Sequence, residues 1–461
     1  VTVLQHNKLL ELIQHAQKNR LVSYVQKTKA MNPLTIIANA ERLQYDYFFW
    51  KHPSQSISFV GVGELYTIEA DDANRFKQIS NTWKRLLENS LINNRYHTVE
   101  AVGPLLFGGY SFDPIKQSTN RWRDFSPGTF ILPKMMYTNY NGEGYVTHNL
   151  FPCEESSSYG LLEDIDRLYN EMFADIDELP DFSSTSYRLS EGDTTKWKQI
   201  VQGAIDEINS NNLQKVVLAR DVTLTYAKQI NVVQALHTLL AEQPTSYIFA
   251  FKYHQSCFIG ATPEQLIQKK QDKLYTTCLA GTAPRGKTFE EDEQIADELL
   301  RDEKNKNEHQ LVVNMISDAM QEVCSTTNIP PSPTIFKTKH VQHLYTPITG
   351  TTKVYTSLMD IVELLHPTPA LGGYPRQESL QYIRDHEGID RGWYASPLGW
   401  VDYSGDGEFA VAIRSALIQG RKAYLYAGCG IVSDSIPESE LEETKMKLRP
   451  MLSALGGNIV E

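Results

Sequence analysis

The stretch EFAVAIRSALIQGRKAYLYAGCGIV, residues 408–432, holds two apolar strand-like runs, EFAVAIRSALIQ (408–419) and AYLYAGCG (423–430). Only a short polar link separates them, so no helix intervenes. A doubly wound parallel sheet needs strands that alternate strictly with helices, and this stretch breaks that rule. Working outward, KVVLAR (Lys215–Arg220), Thr245–Lys252 and Cys257–Gly260 read as further strands. Helical patterns surround them at Gly192–Ser210, about Asp292–Cys324, Ser357–His366 and about Pro437–Leu455. Nearer the N-terminus, Ser58–Val62 and Glu64–Glu69 read as strands and Ala73–Asn94 as a helix. Gly108, Gly109 and the Asp113-Pro114 pair read as turns. The mixture predicts an α+β fold. The acidic stretch Asp175–Ser186, containing proline and serine, is the best internal boundary, and reads equally well as a long crossover within one domain.

The bulk numbers exclude several classes. With 461 residues, 41% hydrophobic and 22% charged, the chain has the make-up of a soluble globular protein with a large core. A net charge of −12 argues against nucleic-acid binding, which needs a basic face. It also means that an anionic ligand would require local cations or a metal. The five cysteines are scattered, odd in number and without a CxxC pair, so neither a disulfide framework nor a zinc site is expected. A reducing cytoplasm fits. The opening VTVLQHNKLLELIQHAQKN (1–19) is an amphipathic helix rather than a signal peptide. No apolar run is long enough to span a membrane. Neither a Walker loop nor a GxGxxG is present.

Chemistry is suggested by charged residues in apolar places. Taken as a helix, Asp302–Cys324 carries a stripe of Leu311, Val312, Met315, Ile316, Ala319 and Val323 at the period of a buried face. One turn earlier, Glu308 falls on that face. A carboxylate there needs a partner or a cation, unless the helix emerges into solvent at this turn. On the terminal helix, Glu440, Glu443 and Lys447 lie along one line beside an apolar stripe. A solvated charged face would look the same, but acids from two helices can also clamp magnesium, which prefers oxygen ligands. Ser439-Glu440-Leu441-Glu442 resembles a capping box.

Lys215 starts a strand and shares a face with Val217 and Ala219; if enclosed, it becomes a candidate general base. Glu264 follows Pro263 after the strand FIGAT, as a positioned acid or a surface turn residue. Arg414 lies within AVAIRSALI, an apolar strand where a buried guanidinium needs an anion. Gly428 and Gly430 leave backbone N–H groups free to approach a carboxylate, or simply make a turn.

Ten segments, in order, resemble the chorismate-utilising enzymes: QKVVLAR, FIGATPEQL, LAGTAPRG, DEKNKNEH, VQHLYTPITG, LHPTPALGG, GWYASPLGW, FAVAIRSA, YAGCGIV and ESELEETKMKL. They span roughly Gly192–Leu455. The resemblance implies one α+β unit over 1–461, with large mixed or antiparallel sheets packed as a sandwich with flanking helices. Within it, 1–185 completes the sheets and 190–456 binds chorismate. It also implies roles. Glu308 and Glu443 match magnesium ligands, and Glu440 a further acid of that shell. Arg414, Lys447 and the backbone at Gly428 match groups that hold the two carboxylates of chorismate. Tyr394 matches an aromatic near the enolpyruvyl group, and His343 a histidine near the ring. Lys215 matches the base and Glu264 the acid. Asn305 departs from members that carry an acid three residues before the Glu308 position.

Ala370 in HPTPALGG takes the form of the isochorismate-synthase branch, where pyruvate-releasing members resemble one another in carrying threonine. A lysine at 215 fits water as the nucleophile. The implied activity is isochorismate synthesis with Mg2+, water adding at C2 of the ring as the C4 hydroxyl leaves. The N-terminal third carries no comparable match, but the chain length and this extra N-terminal portion look more like the menaquinone-pathway enzymes than the shorter siderophore-pathway ones. Salicylate synthase and anthranilate synthase component I are the alternatives, and a non-catalytic chorismate-binding regulator is an alternative of another class. No glutaminase subunit is expected.

Overall fold

Side-chain alternation along the central strands builds two cores. In the strand Tyr247–Tyr253, Phe249 and Phe251 enter one apolar cluster while Ile248 and Ala250 enter another. The computed structural model describes residues 3–54, 56–116, 119–153, 157–176, 186–338, 341–353, 356–456 and 458–459. Among these, strand pairing is almost all antiparallel. The parallel exceptions join Val22–Thr28 to Leu91–Asn93 and Asn458–Ile459 to Ser186–Glu191.

The sheet divides at the strand Gly128–Tyr140. One edge of that strand pairs throughout with Ile57–Ala70. Its other edge is shared: Leu105–Tyr110 pairs with its first part and Glu143–Leu150 with its second. From there one layer runs through Ile57–Ala70, Tyr47–Lys51, Tyr247–Tyr253, Ser256–Thr262, Ser415–Gln419 and Lys422–Ile431 to Lys215–Tyr226. The other runs from Leu105–Tyr110 through Pro397–Asp402, Gly407–Val411, Gln265–Lys270 and Lys273–Pro284 to Val341–Thr352. Phe107, Trp400 and Phe409 of the second layer share a core with Phe249, Phe251 and Phe258 of the first, so the layers form the expected sandwich. Leu34, Leu236 and Leu448, from three helices, close the outer face of the first layer.

Several local expectations change. The helix expected over Asp292–Cys324 is two helices, Phe289–Arg301 and Glu303–Val323. Asp302 between them is extended, and its carboxylate accepts from Asn305 N at 2.7 Å, capping the second helix. EFAVAIRSALIQ is likewise two strands, Gly407–Val411 and Ser415–Gln419. Arg414 sits on the bend between them with φ 52°, a left-handed conformation that ends the pairing. Ser58–Val62 and Glu64–Glu69 merge into Ile57–Ala70, with a register shift between Glu64 and Tyr66. Gly108 and Gly109 do not make a turn. They lie inside Leu105–Tyr110, where a Cβ on Gly108 would come within 2.0 Å of the Thr129 carbonyl. The terminal helix starts at Pro437 behind Ile436, so Ser439 is already inside it and makes no capping box. Of the stretch Asp175–Ser186, residues 177–185 lie outside the described residues.

Candidate active site

Lys215 begins the strand Lys215–Tyr226 and is 3% exposed. Burial of an ammonium demands a partner, and Nζ donates to Glu308 Oε1 at 2.6 Å. Glu308 stands in the second turn of Glu303–Val323, whose buried face is His309, Val312, Val313, Ile316, Met320 and Val323. Burial works to raise the Glu308 carboxyl, but Lys215, with Lys447 and Lys304, outweighs it and holds the group below its ordinary value. Gly430 makes this pair possible. A Cβ there would lie 2.7 Å from Lys215 Cε.

Glu264 follows the strand Ser256–Thr262 and is partly buried. Burial raises its carboxyl to about 7, against the pull of Arg414, Lys447 and Lys215. It is therefore partly protonated near neutral pH. Arg414 faces it from the bend. Burial lowers its guanidinium from the usual value, and no carboxylate forms an ion pair with it among the described residues. His343 donates to or accepts from Thr282 Oγ1 through Nδ1 at 2.9 Å. Burial, reinforced by Arg414 and Lys447, lowers His343 to about 3, so the imidazole is neutral.

From the terminal helix, Lys447 Nζ donates to the Gly428 carbonyl at 2.9 Å and pairs with Glu443 at 2.6 Å. Glu440 lies one turn earlier; burial raises its carboxyl, and Oε2 is buried without a hydrogen-bond partner. Tyr394 stacks on Tyr426, with centroids 5.2 Å apart and planes at 19°. Burial raises its phenol.

One cavity of about 340 Å³ gathers these groups. It is lined by Lys215, Glu264, Glu308, His343, Ala370, Tyr394, Arg414, Gly428, Glu440, Glu443 and Lys447, every residue singled out from the sequence. That size suits one small ring-bearing molecule. Asn305 also lines it, with Nδ2 turned to Asp302 at 2.8 Å.

A hard cation needs several oxygen ligands at once. Among the described residues no three acids or histidines converge tightly enough to coordinate one. Glu308 and Glu443 are each drawn to a lysine instead. Still, all three carboxylates face one cavity, and the unpartnered Glu440 oxygen is a ready ligand, so an oxygen-preferring divalent ion fits the chemistry.

Sequence reasoning missed the frame behind the cavity. Arg391 and Glu387, each 3% exposed, pair at 2.6 Å. Arg391 donates to the carbonyls of Val217 at 2.7 Å and Leu371 at 3.1 Å, and Glu387 accepts from Ala219 N at 2.7 Å. The pair thus ties the Lys215 strand to the segment bearing Ala370. The i, i+4 spacing of opposite charges was a signal, but it reads first as a surface pair.

Residues 7–456 match the family described as chorismate binding enzyme. The isochorismate synthase MenF of Bacillus subtilis is 40% identical over 451 residues, covering 95% of this chain and 94% of that one. The salicylate biosynthesis isochorismate synthase of Pseudomonas aeruginosa is 33% identical, covering 93% of this chain and 89% of its own. The solved structure of MenF, the menaquinone-specific isochorismate synthase from Escherichia coli, superposes with a TM-score of 0.81 at 25% identity, covering 98% of this chain and 99% of that one. This chain belongs to the chorismate-binding enzyme family.

Proposed function

We propose that this chain is an isochorismate synthase, converting chorismate to isochorismate for menaquinone synthesis. The observation that carries the reading is one cavity lined by a buried lysine, a separate carboxyl raised to about 7 and an arginine without a carboxylate partner among the described residues. The relatives' names support the same reaction.

In this reading Arg414, Lys447 and the backbone at Gly428 hold the two carboxylates, which offsets the −12 charge of the protein. Neutral His343 and Tyr394 pack beside the ring, and Ala370 leaves that wall apolar. Lys215 takes a proton from the water that adds at C2. Glu264 gives its proton to the C4 oxygen, which leaves as water while the ring double bonds shift. One water enters and one leaves, so atoms balance. The bond to Glu308 fixes where the Lys215 Nζ sits, at 2.6 Å from Oε1, within the cavity. Glu308, Glu443 and Glu440 would hold Mg2+, whose charge supports binding of the substrate carboxylates. The whole chain 1–461 acts as one unit, in the cytoplasm, without a glutaminase subunit.

The test is incubation with chorismate and magnesium, followed by chromatographic identification of the product. Isochorismate without pyruvate is expected. Pyruvate with salicylate, read by a lactate-dehydrogenase-coupled assay, would overturn the assignment.

A further inference from the structure

Next to the active-site cavity lies a chamber of about 10 Å³, room for a single water molecule. Glu264 and Leu279 line both, so they form the wall between the two. Leu266, Val312, Ile316 and Leu365 give the chamber an apolar side. Thr368 lines it as well. That residue is 4% exposed, and its Oγ1 is buried without a hydrogen-bond partner. Its carbonyl is committed, accepting from Leu371 N at 3.0 Å and Gly372 N at 2.9 Å in the turn that bears Ala370. An unmet buried hydroxyl is costly, so Thr368 calls for a polar partner inside the chamber.

Glu264 has the complementary need. Its backbone is held on both sides, the N–H donating to Thr262 Oγ1 at 3.2 Å and the carbonyl accepting from Val411 N at 3.0 Å. Its carboxyl feels Arg414, Lys447 and Lys215 through charge, but forms no hydrogen bond within the protein among the described residues. An acid that delivers a proton to one atom needs a fixed orientation. Thr276 Oγ1 donates to the Leu266 carbonyl at 2.6 Å and keeps a lone pair to accept with. A water in the chamber thus has three partners, the usual number for a buried one.

We propose that Thr368 is a positioning residue for Glu264, acting through one water bound in this chamber. The Thr368 hydroxyl donates to the water. The water donates to Thr276 Oγ1 and to the Glu264 carboxyl oxygen on the chamber side. Because that oxygen accepts, the carboxyl proton sits on the other one, which faces the substrate cavity. Once the proton has left, the same donation favours the carboxylate, so loss of the water raises the Glu264 pKa. Arg414, Lys447 and Lys215 are the charged groups that face this carboxyl, and the Cys278 thiol nearby is pushed up by burial and stays neutral. None of them changes when Thr368 is substituted. The positioning role rests on Glu264 as the acid; the water site does not.

The experiment uses the full chain. A high-resolution crystal structure should show one water bonded to both Thr368 Oγ1 and the Glu264 carboxyl. Thr368→Val keeps the side-chain shape and removes the hydroxyl, whereas Thr368→Ser keeps the hydroxyl. In Thr368→Val the Glu264 carboxyl should titrate at higher pH, read by carbon-13 NMR with its signal assigned by loss in Glu264→Gln. Its kcat should fall about tenfold with KM unchanged, the alkaline limb of kcat should move up with the titration, and Thr368→Ser should restore both. A chamber without that water, or a Glu264 titration that Thr368→Val leaves in place, overturns the site. If Thr368→Ser behaves as Thr368→Val does, Thr368 only packs and the positioning role fails. Should Thr368→Val not fold, the crystal structure and Thr368→Ser still decide. The crystal structure and the NMR titration need no turnover. A water in place and a moved titration, with the alkaline limb unmoved, would therefore overturn Glu264 as the acid and leave the water site standing.

Discussion

If Glu264 is the proposed acid, its protonation bears on both turnover and stability. Its carboxyl is raised from 4.5 to about 7 by burial, so the folded protein favours the proton. The sign follows directly. Its contribution to stability is complete below about pH 4.5 and is lost as pH rises through about 7. Glu264→Gln removes that dependence, so thermal unfolding across this window should shift in favour of the variant by at most about 3 kcal/mol. Turnover by the unsubstituted enzyme should fall above about pH 7 as the acid loses its proton. A kcat that stays flat through that range would deny Glu264 the role of acid. Lys215→Ala should lower kcat by ~10²–10⁴-fold while far-ultraviolet circular dichroism is unchanged. Full turnover in that variant would require another base.

Single elements place these residues. The helix bearing Glu308 begins where it does because Asp302 caps it. Asp302→Ala should cost ~1 kcal/mol in urea unfolding, the ordinary value of an N-cap. A larger loss would show that the break also supports the cavity wall. The Glu387–Arg391 pair is more demanding, because it is buried and bonded to backbone on two segments. Arg391→Met leaves the Glu387 charge buried and should destabilise by ~3–5 kcal/mol. Unfolding in denaturant measures this, and a cost below ~1 kcal/mol would mean that water replaces the guanidinium.

At the scale of the whole molecule, a cation bound between two helices and the strand layer should stabilise the fold by mass action. Adding Mg2+ at about a hundred times its Kd should raise unfolding stability by ~2.7 kcal/mol, and chelation should reverse it. An unfolding temperature indifferent to both would count against the three-glutamate site. Much of this protein was legible before folding. The 3.6-residue stripes beside Glu308 and Glu443, and the absence of strict strand–helix alternation, come from local periodicity, which the chain carries in its order of residues. The ten ordered motifs placed every candidate site residue. Other features depended on distant partners. That Lys215 is paired with Glu308, that Gly430 leaves room for it, and that Arg391 and Glu387 are buried all depend on contacts across large sequence separations. Gly108 and Gly109 read as a turn for the same reason: glycine permits a turn locally, and only the neighbouring strand shows that it is needed for close approach. Residue order therefore determined the class of fold and the chemistry on offer. The tertiary structure alone decided which charges meet, because burial and pairing are properties of segments brought together and not of any one of them.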